Sequence, residues 1–273
     1  MADTDTTSYV MGSSPEESDR LGVQASLYDG HTEHLLRAAG LREGMRVLDV
    51  GCGTGEVSLA AARVVGSSGR VLGVDMDPGV LRRARANAAA GSFTNVTFEQ
   101  GVLPDLEVGG SFDALVGRLI LIHLDDPVST VKDLTRFVRR GGVVTFQDFN
   151  ISRTRAVPAV PLVTETVEWI SAALREGGRN PEMGEQLAEV LRLSGLPDPS
   201  VAAAAPAGGP DSAAVTLIAE SARSLLPVME RGGIATAEEV NIDTLRERMA
   251  RACQEVRATV YVPELVAAWA PVP

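Results

Sequence analysis

The stretch Val47-Leu48-Asp49-Val50-Gly51-Cys52-Gly53-Thr54-Gly55 decides how the rest of the sequence is read. Its apolar start reads as a buried strand. Glycines then recur at alternate positions, and a helix follows from Glu56 to Val65. Strand, glycine turn and helix let bare main chain approach a ligand without interference from Cβ atoms. A dinucleotide fingerprint, G-x-G-x-x-G, would place its third glycine at position 56. That position is Glu56, and a carboxylate beside a pyrophosphate is costly, which argues against NAD and FAD. No Gly-Lys-Ser/Thr follows, so a P-loop is excluded.

Outward from this turn, residues 71–75, 96–98, 112–117 and 143–147 read as further strands. Pro78 suits the first turn of a helix over residues 78–90. Asp125-Asp126-Pro127 caps another, running to about Arg139 before Gly141-Gly142 stops it. Strands alternating with helices call for a parallel sheet covered on both faces, an α/β doubly wound fold. Ahead of it, residues 1–18 read as a polar arm, and helical spacing begins at Ser18 with Leu21, Gln24, Ala25 and Tyr28. Leu35, Leu36 and Ala39 continue that spacing to Gly40. Beyond Asp148, residues 160–175, 183–193, 213–231 and 237–257 read as helices of a cap, and residues 201–210 as a Pro/Ala/Gly-rich connection. The last run is β-branched at its start and reads as a strand closing the sheet. The expected organisation is a single domain: an arm over 1–18, a core over 19–150, a helical cap over 151–256, and a last strand over 257–273.

Composition narrows the function classes. With 45% apolar residues, 22% charged residues and a net charge of −11, the chain has a core and no basic face for nucleic acid. Two cysteines, Cys52 and Cys253, cannot build a disulfide framework or a four-thiolate metal site. No apolar run reaches the ~18 residues of a membrane span. The N-terminus lacks the basic-then-apolar order of a signal peptide. The expectation is a soluble cytoplasmic protein, monomeric or homodimeric, acting on a small molecule, with no nucleic-acid or membrane partner.

Asp75 ends the second strand, 24 residues after Gly51. A carboxylate there points into the crevice and can accept both hydroxyls of a ribose. The competing reading is a helix N-cap, a role for which Asp77 is better placed. Met76 can lie along an adenine face or simply pack.

Residues 47–55 resemble the first motif of the class I S-adenosylmethionine-dependent methyltransferases, and Gly73-Val74-Asp75-Met76-Asp77-Pro78 resembles their second. Phe112-Asp113-Ala114-Leu115-Val116 and Arg140-Gly141-Gly142-Val143 resemble the later strand and the turn before the fifth strand. The likeness covers about Gln24 to Asp148 and is nearest the ubiquinone-biosynthesis-like subgroup, whose members often modify small molecules, including natural products. It implies a Rossmann-like, mostly parallel sheet of seven strands, with S-adenosylmethionine as cofactor. The turn Gly51, Cys52, Gly53, Thr54 and Gly55 would pack against the methionine part of the cofactor. Asp49 would face its ammonium group, Asp75 its ribose and Met76 its adenine. Where the family often has an acid after the glycine at the third strand's end, Gly101 is followed by Val102, leaving main-chain contacts and apolar packing for the adenine. Tyr9, Gly12, Glu17, Arg20, Leu21 and Gln24 resemble a helix covering the cofactor, with Gln24 reaching the methionine carboxylate. Arg20 and Gln24 are equally readable as a solvated i,i+4 pair.

A sulfonium methyl is already electrophilic, so the protein's task is to hold a nucleophile in line and exclude water. A general base helps only where the acceptor must lose a proton. His123, just beyond the fourth strand, is the first candidate, against a packed or helix-terminal histidine. Asp148 at the end of the fifth strand is the second. Arg118, where the fourth strand leaves the sheet, would orient substrate or cofactor. Asp148 with Asn150 is too sparse an oxygen set for magnesium, and His31 and His34 lack further ligands, so no metal is expected. The cysteine count also precludes a multi-thiol arsenic site. Trp169, Ile170, Leu174, Leu217, Leu225, Leu226, Val228 and Met229 supply apolar surface suited to a largely apolar small substrate, or to a core helix or dimer contact. Methyl transfer to such a molecule, within secondary metabolism, is the function implied. The alternatives are the same cofactor scaffold steering a non-methylating reaction such as cyclisation, and a non-catalytic cofactor-binding protein.

Overall fold

The computed structural model describes residues 15–273 except Pro104, with side chains from Arg20 onward. The arm over 1–18 lies mostly outside that range, as do Tyr9 and Gly12. The first helix, α1 (Pro15–Ala38), begins three residues before Ser18. The chain continues through β1 (Arg46–Val50), α2 (Glu56–Val65), β2 (Arg70–Asp75), α3 (Pro78–Ala90), β3 (Val96–Gln100) and β4 (Phe112–Arg118). After a 3-10 turn over Leu121–His123 come α4 (Pro127–Leu134), β5 (Val138–Asn150), β6 (Arg155–Val157), α5 (Pro161–Glu176) and α6 (Met183–Leu193). The remainder is β7 (Ser200–Ala204), β8 (Ala207–Gly208), α7 (Ala213–Arg231), α8 (Ala237–Val240), α9 (Ile242–Glu255), β9 (Thr259–Tyr261) and β10 (Glu264–Pro271).

Two compact units result. The first holds residues Tyr28–Phe149, Met183–Ala204 and Leu265–Pro273. Its seven-stranded sheet has the order β3-β2-β1-β4-β5-β10-β7. The pairs β3·β2, β2·β1, β1·β4 and β4·β5 are parallel, while β10 and β7 are antiparallel. This is the expected mostly parallel, seven-stranded Rossmann-like sheet. Both faces are covered: Leu48, Val50, Leu115, Val144 and Phe146 pack with Val131, Leu134, Leu187 and Leu191, and Val47, Val71, Ala114 and Val116 pack with Ala60, Ala61 and Val64.

The second unit comprises the described residues up to Leu27 with Asn150–Glu182 and Ala205–Glu264. In it α5 packs on α7, α7 on α9, and a small sheet runs β6-β9-β8. Thr166, Ile170, Leu217, Leu225, Met229, Leu245 and Met249 are buried there.

Several elements depart from the sequence reading. The run after residue 257 divides: β9 joins the small sheet, and β10 enters the large one between β5 and β7 rather than closing its edge. That edge is β7, within the stretch read as a connection, where alanines present little side chain but pair along the strand with residues 265–269 of β10. Helix α6, read as part of the cap, belongs to the sheet-bearing unit, since Leu187 and Leu191 bury against the sheet core. The fourth helix ends at Leu134, not Arg139, because Val138 already pairs with Phe112 and Arg139 reaches Asp113 at 2.7 Å. The helical stretch over 237–257 breaks at Asn241, whose φ of 45° separates α8 from α9.

Asn95 ties the start of β3 to the end of α2. Its Nδ2 donates to the carbonyls of Ala62 (3.0 Å) and Gly66 (2.8 Å), each of which also accepts a main-chain N–H, from Gly66 and Gly69 respectively. Asn95→Ala removes both side-chain hydrogen bonds, and a loss of about 1–3 kcal/mol is expected, each kcal/mol lowering Tm by about 2–4 °C in a thermal melt.

Candidate cofactor site and its electrostatics

The site grows from the carboxyl ends of β1 and β2. Gly51, Gly53 and Gly55 have φ of 66°, 53° and 94°, the left-handed region that disfavours side chains. Their surroundings differ. A Cβ on Gly51 would lie 2.7 Å from the Ile120 side chain, and one on Gly55 would lie 3.1 Å from the Phe98 ring. A Cβ on Gly53 would meet nothing within 4 Å. Two of the glycines therefore permit packing within the protein, and Gly53 presents bare main chain to open space. Cys52 N–H donates to the Val74 carbonyl at 3.0 Å, and Asn87 Nδ2 holds the Thr54 carbonyl at 3.0 Å. Cys52 is buried, and burial raises its thiol well above the ordinary range, so it packs in the turn as an unionised thiol.

Asp75 is clasped by main chain. Its Oδ2 accepts from Gly53 N–H at 2.9 Å, and its Oδ1 accepts from Asp77 N–H at 3.0 Å. Helix α3 is capped by Asp77, which accepts from Gly79 N–H at 2.5 Å. The capping role thus falls to Asp77 and leaves the half-buried Asp75 carboxylate at the sheet's end. In register, Asp75 pairs with Gln100, and Gln100 Nε2 donates to the Met76 carbonyl at 3.0 Å. Beyond these strand ends two apolar side chains stand in solvent, Met76 at 44% exposure and Val102 at 49%. Gly101 serves packing: a Cβ there would meet Leu106 at 2.5 Å and Val74 at 2.7 Å.

Asp49 is fully buried, with Ser58 Oγ donating to its Oδ2 at 2.5 Å. Its Oδ1 has no hydrogen-bond partner among the described residues. Burial is the largest cause raising its carboxyl to about 7; Ser58 and Arg118 oppose the rise, and Asp75 and Glu56 add to it. Arg118 is itself held by α1, donating to Thr32 Oγ1 at 2.8 Å, with Asp29 Oδ1 at 3.6 Å.

Asp148 is also fully buried, and desolvation raises its carboxyl to about 7 against main-chain hydrogen bonds from Ile122, Phe149 and Leu121. Its Oδ2 accepts from Ile122 N–H and its Oδ1 from Phe149 N–H, both at 3.1 Å. These bonds shape the 3-10 turn that ends at the half-buried His123. Arg20 and Gln24 are both buried, with Arg20 NH1 donating to Gln24 Oε1 at 2.9 Å, so they do not form a solvated face. Glu17 lies in α1, and its side chain is outside the described range. Among the described residues no group of three or more His, Cys, Asp or Glu gathers as a metal site, and no helix is long and apolar enough to cross a membrane. Sequence reasoning missed Ser58, Thr32, Asp29 and Asn87. Of these, only Ser58 carries a local signal, a hydroxyl in the first turn of the helix after the glycines.

A family model described as a methyltransferase domain matches residues 41–193. An arsenite methyltransferase of Aquipseudomonas alcaligenes is 36% identical over 129 residues, 44% of this chain and 37% of that protein. An aklanonic acid methyltransferase of a Streptomyces species is 32% identical over 147 residues, 52% of this chain and 64% of that protein. The matches thus span less than two thirds of either relative's own length. Among solved structures, the YcgJ protein of Bacillus subtilis superposes with a TM-score of 0.57 at 20% identity, covering 89% of this chain and 99% of its own, a likeness of fold. The family match contains both the glycine turn and the Asp75 clasp, and the chain belongs to the class I S-adenosylmethionine-dependent methyltransferases.

Proposed function

We propose that this protein transfers a methyl group from S-adenosylmethionine to a small, largely apolar acceptor. The observation that carries the reading is the pairing of an unobstructed Gly53 main chain with a carboxylate fixed beside it, since Gly53 N–H donates to Asp75 Oδ2 at 2.9 Å. An aminoacyl chain lying along residues 51–55 and a ribose at Asp75 would use both. Three features of the residues fit that cofactor. The orphaned Oδ1 of Asp49 suits an ammonium donor, Asp75 keeps lone pairs for two sugar hydroxyls, and the exposed Met76 and Val102 suit a purine face. Gln24 is assigned the methionine carboxylate, and Arg118 the orientation of substrate or cofactor. Bound there, the cofactor supplies an electrophilic methyl on a good leaving group. The chain's own work is to align the acceptor and keep water out.

His123 is the proposed base for an acceptor that must lose a proton, held at the end of a turn that Asp148 builds. Both Asp148 oxygens receive main-chain N–H groups, so its proposed part is to position that turn, with proton acceptance assigned to His123. Arsenite, the substrate named for one relative, is not carried over, because two cysteines cannot form a multi-thiol site. A small organic acceptor, acted on in the cytoplasm by a monomer or homodimer, is the reading kept. A rise of one methyl in product mass separates transfer from a cyclisation on the same scaffold.

Calorimetry with S-adenosylhomocysteine tests the cofactor assignment. Asp75→Ala should weaken binding about 10–100-fold, the worth of charge-assisted hydrogen bonds to a ribose. Undiminished affinity would overturn the assignment.

The Asp49 carboxyl, raised to about 7, gives binding a pH dependence. An ammonium ligand favours the ionised carboxylate, so affinity should rise as pH climbs through 7 and fall by up to about tenfold per pH unit below it. Asp49→Asn should flatten that slope between about pH 6 and 8.

Once an acceptor is in hand, His123→Ala should lower kcat about 10²–10⁴-fold if a proton must be removed, with S-adenosylhomocysteine affinity unchanged. Full turnover would remove the histidine from the mechanism.

A further inference from the structure

Strand β5 buries four polar side chains, Thr145, Gln147, Asp148 and Asn150, where a sheet interior calls for apolar ones, and the first two stand apart. Gln147 is 2% exposed and Thr145 is fully buried. Neither amide atom of Gln147, nor Thr145 Oγ1, has a hydrogen-bond partner among the described residues. A buried amide left this way opposes folding, because its lost hydration is not replaced.

Strand register shows where these groups lie. Residues 145 and 147 are two apart and so share a face. Thr145 pairs with Val116, which pairs in turn with Asp49, and Gln147 pairs with Arg118. Parallel partners in register project to the same side of a sheet, so Asp49, Arg118, Thr145 and Gln147 share one face towards the carboxyl ends of β1, β4 and β5, with the apolar Val116 between Asp49 and Thr145. The intervening Val144 and Phe146 pack on the opposite face with Leu115 and Val266. On this face Arg118 is engaged by Thr32 and Asp29, and Asp49 by Ser58 on one oxygen. Gln147 is held there by its main chain, whose carbonyl accepts from Leu119 N–H at 2.8 Å in a turn where Leu119 has φ of 55°.

We propose that Gln147, with Thr145 beside it, orients the methyl acceptor through hydrogen bonds to a neutral oxygen-bearing group, a hydroxyl or carbonyl. The inference rests on the methyl-transfer reading and adds a substrate class to it. An amide offers one acceptor and two donors but no net charge. Desolvating a carboxylate or ammonium ion there would cost far more than a neutral amide returns, whereas a hydroxyl or carbonyl loses little. The one cation on this face, Arg118, has Asp29 at 3.6 Å.

The test uses Gln147→Leu, similar in volume and apolar, with Gln147→Met as a second variant should leucine's branching disturb the strand. Affinity for S-adenosylhomocysteine is measured first, and loss of binding by the wild type would strike the methyl-transfer reading itself. With that affinity unchanged in the variants, removing an unanswered amide should raise Tm by about 2–4 °C or more. Titrating 1-naphthol and 1-naphthoate into the S-adenosylhomocysteine complex should show uptake of the neutral probe only, weakened about tenfold by either substitution. A lowered Tm with unchanged naphthol affinity would make Gln147 a structural residue and overturn the proposal. Naphthoate bound as well as naphthol, or neither probe bound by the wild type, would overturn it too.

Discussion

The hydrogen bond from Gly53 N–H to Asp75 Oδ2 joins the two turns from which the candidate site is built. One follows β1 and the other follows β2, and the parallel pairing of these strands brings their carboxyl ends side by side. The left-handed φ of Gly53 accompanies the outward-facing main chain, and the N–H of Asp77 holds the second Asp75 oxygen. Asp77, not Asp75, caps α3. The proposed cofactor surface therefore depends on a sequence of local commitments: glycine geometry, then a carboxylate fixed by the N–H groups of Gly53 and Asp77.

Two buried aspartates show how similar electrostatics can serve different ends. Asp49 and Asp148 are both fully buried, and desolvation raises each carboxyl to about 7. Asp148 commits both oxygens to main-chain N–H groups and so defines the turn that carries His123. Asp49 commits one to Ser58 and keeps the other unanswered. The raised pKa alone would treat the two as equals. The difference lies in their hydrogen bonds: the described residues answer both oxygens of Asp148 and one of Asp49.

The glycine turn and the division of labour between Asp75 and Asp77 were legible because strand, turn and cap chemistry are local. The parallel sheet followed from the alternation of strands and helices. What escaped was set by contacts distant in sequence. Alanine-rich β7 carries no pattern of its own and becomes a strand only through β10. Helix α6 has the same amphipathic spacing wherever it packs, and only the sheet core receiving Leu187 and Leu191 fixes its place. Thr32, which holds Arg118 together with Asp29, lies 86 residues away from it. Gln147 reads as one more residue of a short strand until burial and register set it apart.

Polar groups kept in a core without partners need a reason, since apolar side chains of the same size would fold more readily. On β5 the apolar choice was made at Val144 and Phe146, whose side chains fill the opposite face. The face shared with Asp49 and Arg118 instead carries Thr145 and Gln147. These two lie towards the end of the sheet where the glycine turn and Asp75 also lie. Stability withheld at these positions is available to a ligand that supplies the missing hydrogen bonds, which links the energetics of the strand directly to recognition.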